Sequence, residues 1–67
     1  MSSFNLPIWV AINGKTKMFH ANIKQVDNFY LAQCIECEEA SSINEDLHQC
    51  LVKLVESIKV SINDTQN

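Results

Sequence analysis

The sequence contains no arginine, one glycine and one proline. Without arginine the chain lacks the planar guanidinium group that holds phosphates and carboxylates through two parallel hydrogen bonds. A single glycine excludes a glycine-rich phosphate-binding loop. The scarcity of glycine and proline also excludes a collagen-like chain, a low-complexity segment and a flexible linker.

Long hydrophobic runs and a basic N-terminal segment are missing as well. The longest unbroken apolar run is the five residues Ile8 to Ile12, so we expect no segment that spans a bilayer. The first seven residues lack the basic region and the apolar stretch of a signal peptide. We therefore expect a cytoplasmic protein. Three cysteines, an odd number in a reducing compartment, predict free thiols rather than disulfides.

What is present is the composition of one small globular domain over residues 1–67. Hydrophobic residues make up 46% of the chain and charged residues 19%. Eight acidic residues against five basic ones give a net charge of −3. This balance disfavours direct binding to a nucleic-acid backbone, which requires clustered cations. It permits a basic protein partner.

Two short turn signals divide the first half of the chain into strands. Asn13-Gly14 is typical of a type I′ hairpin, which needs positive φ at both central residues. Asp27-Asn28 suits a second tight turn, because Asp and Asn tolerate the left-handed region. The sequence therefore predicts an antiparallel three-stranded meander with strands over 5–12, 15–26 and 29–36.

The second half has the period of a helix. From residue 43 to residue 62, apolar residues recur at steps of three and four. Ser42 as the N-cap, with Glu45 three residues later, predicts a capping box. The polar residues 63–67 are expected to be a frayed tail, and Glu38 to Ser41 a short edge strand or a loop. The predicted fold is α+β, in the order β-β-β-(β)-α, with one C-terminal helix packed on one sheet face.

Two-residue turns also predict the register of the strands. They place Ile8 opposite Phe19 and Leu6 opposite Ala21, and then Ile23 opposite Ala32. One face then carries a set suited to a helix-covered core: Leu6, Ile8, Val10, Phe19, Ala21, Ile23, Tyr30, Ala32 and Cys34. The other face carries Trp9, Ala11, Met18, His20, Val26, Phe29, Leu31 and Ile35. One helix cannot cover both faces, and a shift of one residue would exchange them, so one apolar face is predicted to be uncovered.

The predicted helix carries apolar residues outside its core stripe. Val55 lies on the flank of the stripe and Val52 lies further round. One interpretation is a pair of scattered surface valines. The alternative is a second contact strip formed by Val52 and Val55.

The cysteines and histidines suggest no complete chemical site. Cys34 and Cys37 have the C-x-x-C spacing of metal and redox sites, but this pair is predicted to end a strand rather than to begin a helix. His48 and Cys50 are two residues apart on a helix and cannot face one ion. We therefore expect Cys34 and Cys50 to be buried, with Cys37 near the surface, and no metal or cofactor. His20 and His48 have no adjacent nucleophile, so no catalytic residues and no enzymatic activity are predicted.

The candidate binding residues are apolar groups of the uncovered face and acidic groups beside them. Trp9, Met18, Phe29 and Leu31 are predicted to supply the apolar contact with a partner. Glu36, Glu38 and Glu39 are predicted either to be a solvated rim or to attract a basic partner.

About half of the chain, residues 29–62, resembles the N-terminal domain of HicB-type antitoxins. The resemblance is carried by Tyr30-Leu31-Ala32-Gln33-Cys34 and by Ser41-Ser42-Ile43-Asn44-Glu45-Asp46-Leu47 with the amphipathic segment after it. In this comparison Ser42 takes the place of the capping Thr of the family, and Leu47 that of its core Leu. The chain departs from the family in its shorter link after the third strand, which lacks Gly and Pro. In addition, no part of residues 1–67 resembles the C-terminal DNA-binding module that many members of the family carry.

The resemblance implies a β-β-β-α fold, assembly into dimers or higher oligomers, and neutralisation of a small basic RNA-cleaving toxin. The expected function is thus a non-enzymatic protein-binding module that inhibits a basic nuclease or RNA-binding protein. One alternative is an inhibitor of a host defence system carried by a phage or mobile element, such as an anti-CRISPR protein. Another is a homodimerisation or assembly module that uses the uncovered face only on itself. A metal-binding module through Cys34 and Cys37 is a third.

Overall fold

The computed structural model describes the backbone of residues 3–65 and the side chains of residues 3–62. The strands are β1 (Ser3–Ile12), β2 (Lys15–Val26), β3 (Phe29–Cys34) and β4 (Ser41–Asn44), followed by the helix α1 (Leu47–Thr65). The strands form one antiparallel sheet in the order β1-β2-β3-β4. The predicted α+β fold is confirmed. A fourth strand is present, but it spans Ser41–Asn44 instead of the predicted 38–41, and residues 38–40 lie in the connection before it.

Both hairpins have the predicted two-residue turns and the predicted register. Asn13 and Gly14 have φ of 52° and 78°, as a type I′ turn requires. In the second turn Asp27 alone has positive φ, at 56°. Ile8 pairs with Phe19, Leu6 with Ala21, and Ile23 with Ala32, as the sequence predicts.

The helix covers the face predicted to be the core. Its residues Cys50, Leu54 and Ile58 are fully buried and lie on one stripe, four residues apart. They pack on the buried strand residues Val10, Phe19, Ala21, Ile23, Ala32 and Cys34, together with Ala40. The partly buried Leu6, Ile8, Tyr30 and Ile62 surround this cluster. The opposite face of the sheet has no covering element within residues 3–65.

The helix is also joined to the sheet by polar groups. The hydroxyl of Ser42 donates to the backbone oxygen of Cys50 at 2.6 Å. The thiol of Cys50 donates to the backbone oxygen of Tyr30 at 3.3 Å. These contacts hold the first turn of α1 against β3 and β4.

The prediction that Ser42 and Glu45 form a capping box was wrong. Ser42 lies within β4, opposite Ala32, and the helix begins at Leu47. Asp46 is the N-cap: its backbone oxygen accepts from Cys50 N at 2.9 Å, and its side chain accepts from Gln49 N at 3.3 Å. Pairing with β3 satisfies the backbone of residues 41–44, so the helix starts one turn later.

Three other element boundaries differ from the predictions. β3 ends at Cys34 instead of residue 36, and β1 begins at Ser3 instead of residue 5. The helix continues to Thr65, so residues 63–65, predicted to be tail, are helical. Residues 66–67 of the predicted tail lie outside the described residues. In the described part of the chain, no helix combines the length and the apolar character needed to cross a membrane.

Candidate functional site

The face of the sheet opposite α1, here called the open face, carries large exposed apolar side chains. Trp9 is 67% exposed and Ile43 is 62% exposed. The other members are Met18, Val26, Phe29, Leu31 and Ile35, all at least one-third exposed. The four apolar residues predicted to contact a partner, Trp9, Met18, Phe29 and Leu31, therefore lie exposed on one surface.

A row of uncharged polar residues crosses the middle of the open face. Each strand contributes one member: Asn5 pairs with Asn22, Asn22 with Gln33, and Gln33 with Ser41. The Asn22 amide donates to the Asn5 side-chain oxygen at 2.8 Å. We call these four residues the amide row. The strand register predicted from the two turns also places these polar residues side by side, so the row could have been predicted from the sequence.

The amide row divides the open face into two apolar patches. The hairpin patch, towards the Asn13-Gly14 turn, consists of Trp9, Met18 and Ile35. The edge patch, towards the Asp27-Asn28 turn, consists of Val26, Phe29, Leu31 and Ile43. Lys24 lies in the edge patch opposite Leu31.

A histidine–glutamate pair borders the hairpin patch. One oxygen of Glu36 accepts from the backbone N–H of His20 at 2.8 Å, and the other contacts the His20 ring at Nδ1. The backbone N–H of Ile35, one residue beyond the end of β3, donates to the backbone oxygen of His20 at 2.9 Å. The Glu36 carboxylate therefore accepts the hydrogen bond from the His20 backbone that a backbone oxygen of β3 would accept if this strand continued beyond Cys34.

Hydrogen bonds from His20 lower the pKa of Glu36 to about 2. Both bonds favour the ionised form of the carboxylate and therefore lower its pKa. The bond from the His20 side chain lowers the pKa more than the bond from the His20 backbone. An ionised carboxylate only accepts hydrogen bonds, so Nδ1 of His20 carries the proton that is shared with it. Sequence reasoning placed both residues but missed their contact, because it depends on where β3 ends.

Cys34 is close to this pair, but the arrangement is not that of an activated nucleophile. Its thiol lies 3.8 Å from Glu36 Oε1 and is fully buried. Burial is the main cause that raises the pKa of the Cys34 thiol, so it remains protonated. The carboxylate stands between the thiol and the imidazole, whereas a catalytic base has to contact the nucleophile itself.

The three predicted acidic residues are brought together after β3. Glu36, Glu38 and Glu39 line one shallow depression with Cys37 and Ser61. The Ser61 hydroxyl donates to Glu39 at 3.3 Å. All three glutamates are exposed, and this acidic end of the molecule adjoins Ile35 of the hairpin patch.

The predicted helix strip is only partly exposed. Val52 is 40% exposed, but Val55 is partly buried and packs against the core. One exposed valine on that flank is a much smaller apolar surface than the open face.

The cysteines lie where the sequence predicts. Cys34 and Cys50 are buried, Cys37 is half-buried, and all three are free thiols. Among the side chains described, no three His, Cys, Asp or Glu residues are placed to hold one metal ion.

No protein-family model matches the chain, and no curated protein or solved structure is significantly similar to it. The functional interpretation is therefore based on the open face and the acidic end.

Proposed function

We propose that the protein is a non-enzymatic protein-binding module that inhibits a basic partner, as HicB-type antitoxins inhibit RNA-cleaving toxins. The observation that carries the proposal is the open face, with seven large apolar side chains exposed on one side of the sheet. Exposed apolar patches that are bordered by polar residues are typical of protein-binding surfaces.

The two patches and the acidic end have different roles in this proposal. Trp9 and Met18 in one patch, with Phe29 and Leu31 in the other, supply the buried contact that makes a complex long-lived. Glu36, Glu38 and Glu39 attract a basic surface over a longer range and speed its encounter. The net charge of −3 acts in the same direction.

Capture with matched variants tests the proposal. Tagged wild-type protein and Trp9→Glu/Leu31→Glu are used as baits in the native host. Gln49→Glu/Val60→Glu is the control, since it adds the same charge on exposed helix positions. A third bait, Val52→Glu, tests the helix flank. The circular dichroism spectrum of each bait establishes that it is folded.

We expect a basic protein that is retained by the wild type and the control and lost from the open-face variant. Purified and recombined, this partner should cleave RNA, and a stoichiometric amount of the wild-type chain should suppress the cleavage. Three results would contradict the proposal: retention by the open-face variant, loss caused by Val52→Glu alone, or cleavage that the chain does not suppress.

A further inference from the structure

We propose that the open face also binds a second copy of this chain, in a two-fold dimer whose axis runs along the amide row. This inference goes beyond the proposed function and does not depend on it. It follows from the symmetry of the open face: an apolar patch, a polar row and a second apolar patch. Rotation about the row places Met18 and Ile35 of the hairpin patch on Val26 and Leu31 of the edge patch.

The amide row is suited to the centre of such a dimer. Side-chain amides carry both donors and acceptors, so a residue can pair with its own symmetry mate. Asn22 of one copy then faces Asn22 of the other, and Gln33 faces Gln33. A row of charged residues would instead repel itself.

The charges on either side of the row select the direction of the axis. Lys24 is two residues from Asn22 on one side, and His20, with Glu36 bound to it, is two residues away on the other. An axis along the row places Lys24 of each copy over His20 of the other, beside the Glu36 carboxylate that His20 holds. A two-fold axis parallel to the strands would leave each residue at the same position along the strand direction. Lys24 of one copy would then lie in the same row as Lys24 of the other, so this axis is disfavoured.

Apolar contacts extend from the row in both directions. The same rotation places Ile35 over Leu31 and Met18 over Val26 of the second copy. Unlike the open face, the free edge of β1 is unsuited to pairing. Pro7 lies in the middle of β1, opposite His20, at a position where the backbone of β1 points away from β2. Because proline has no N–H, the free edge lacks a hydrogen-bond donor there. A second copy is therefore expected on the face rather than on this edge.

The available area predicts a weak and reversible dimer. Three strands about 4.8 Å apart over the step from Met18 to Val26, with the short β4 (Ser41–Asn44) beside them, give a surface of roughly 440 Å². Two copies then bury roughly 900 Å², an area typical of weak, transient interfaces. A basic partner that uses the open face has to displace the second copy.

Sedimentation velocity of the purified chain over a range of concentrations tests the dimer without any partner. We expect the wild type to pass from monomer to dimer as its concentration rises. Lys24→Glu should raise the dissociation constant at least tenfold, because it places like charges together. Lys17→Glu is the matched control, since Lys17 is exposed on the helix side of the sheet, and it should behave as the wild type.

Mixing two charge variants tests the axis itself. Lys24→Glu and Glu36→Lys should each be monomeric alone, yet form a heterodimer together because both cross-contacts are then attractive. A wild type that stays monomeric at every concentration overturns the inference. So does a mixture that stays monomeric while both variants are folded.

Cross-linking keeps the test decisive if Glu36→Lys does not fold. In a Cys37→Ser background, Asn22→Cys should form a disulfide-linked dimer on oxidation, because Asn22 lies on the axis. Thr16→Cys, at the far end of the face, should not. Equal cross-linking of the two variants, or none, overturns the inference. Because every arm uses the purified chain alone, its failure is distinct from the failure of the proposed function.

Discussion

Truncation of two aliphatic residues on opposite faces of the sheet should have very different effects on stability. Ile23 is fully buried under α1, whereas Leu31 is 37% exposed on the open face. They lie on neighbouring inner strands, one residue apart in register, so their backbone environments are closely matched. Ile23→Ala and Leu31→Ala therefore compare burial under the helix with exposure on the open face.

The expected difference is large relative to the stability of the domain. A chain of 67 residues is expected to have a free energy of unfolding of about 3–10 kcal/mol. Ile23→Ala leaves a cavity beneath the helix and should lower it by about 3 kcal/mol. Leu31→Ala leaves no enclosed cavity and should lower it by about 1 kcal/mol or less.

Urea unfolding followed by far-ultraviolet circular dichroism measures both effects. At a slope of about 1 kcal/mol per molar urea, the midpoint should fall by about 3 M for Ile23→Ala and by about 1 M for Leu31→Ala. The protein is kept at low micromolar concentration so that a second copy does not contribute. Equal shifts would refute the reasoning, because they would mean that the open face is as well covered as the core.

Three further predictions concern the helix cap, the Glu36 carboxylate and the thiols. Asp46→Ala should lower the free energy of unfolding by about 1 kcal/mol in thermal melts, and Glu45→Ala should have almost no effect; the reverse order would contradict the observed helix start. Since the pKa of Glu36 is about 2 in the folded protein against an ordinary 4.5, its contact stabilises the protein above pH 4.5 and is lost as the pH falls towards 2. The stability difference between wild type and Glu36→Gln should therefore shrink over that range in urea titrations, and a constant difference would contradict this cause. A thiol reagent should add rapidly to Cys37 alone, as measured by intact mass, and rapid addition to the two buried cysteines would contradict their placement.

The register of the sheet could be predicted because two local signals determine it. Asn13-Gly14 and Asp27-Asn28 each allow a two-residue loop, and a loop of known length sets every cross-strand pair after it. The core face and the open face follow from those pairs. The amide row was equally accessible, since it needs the same arithmetic applied to Asn5, Asn22 and Gln33.

The start of the helix could not be predicted from local sequence. Ser42 with Glu45 is an ordinary capping box, and nothing nearby indicates that residues 41–44 pair with β3 instead. That pairing is set by the whole sheet and by the burial of Ala40 and Cys50. The contact between His20 and Glu36 was missed for a similar reason, because it needs the turn of the chain after Cys34.

The central claim is that the open face of the sheet is a protein-binding surface. Residue-resolved amide spectra of the purified chain, recorded before and after addition of the captured basic partner, test it most directly. The account predicts that resonances of Met18, Asn22, Leu31 and Ile43 shift on addition of the partner, whereas those of the covered Leu54 do not. Changes confined to the outer side of α1, with the open-face resonances unchanged, would contradict it.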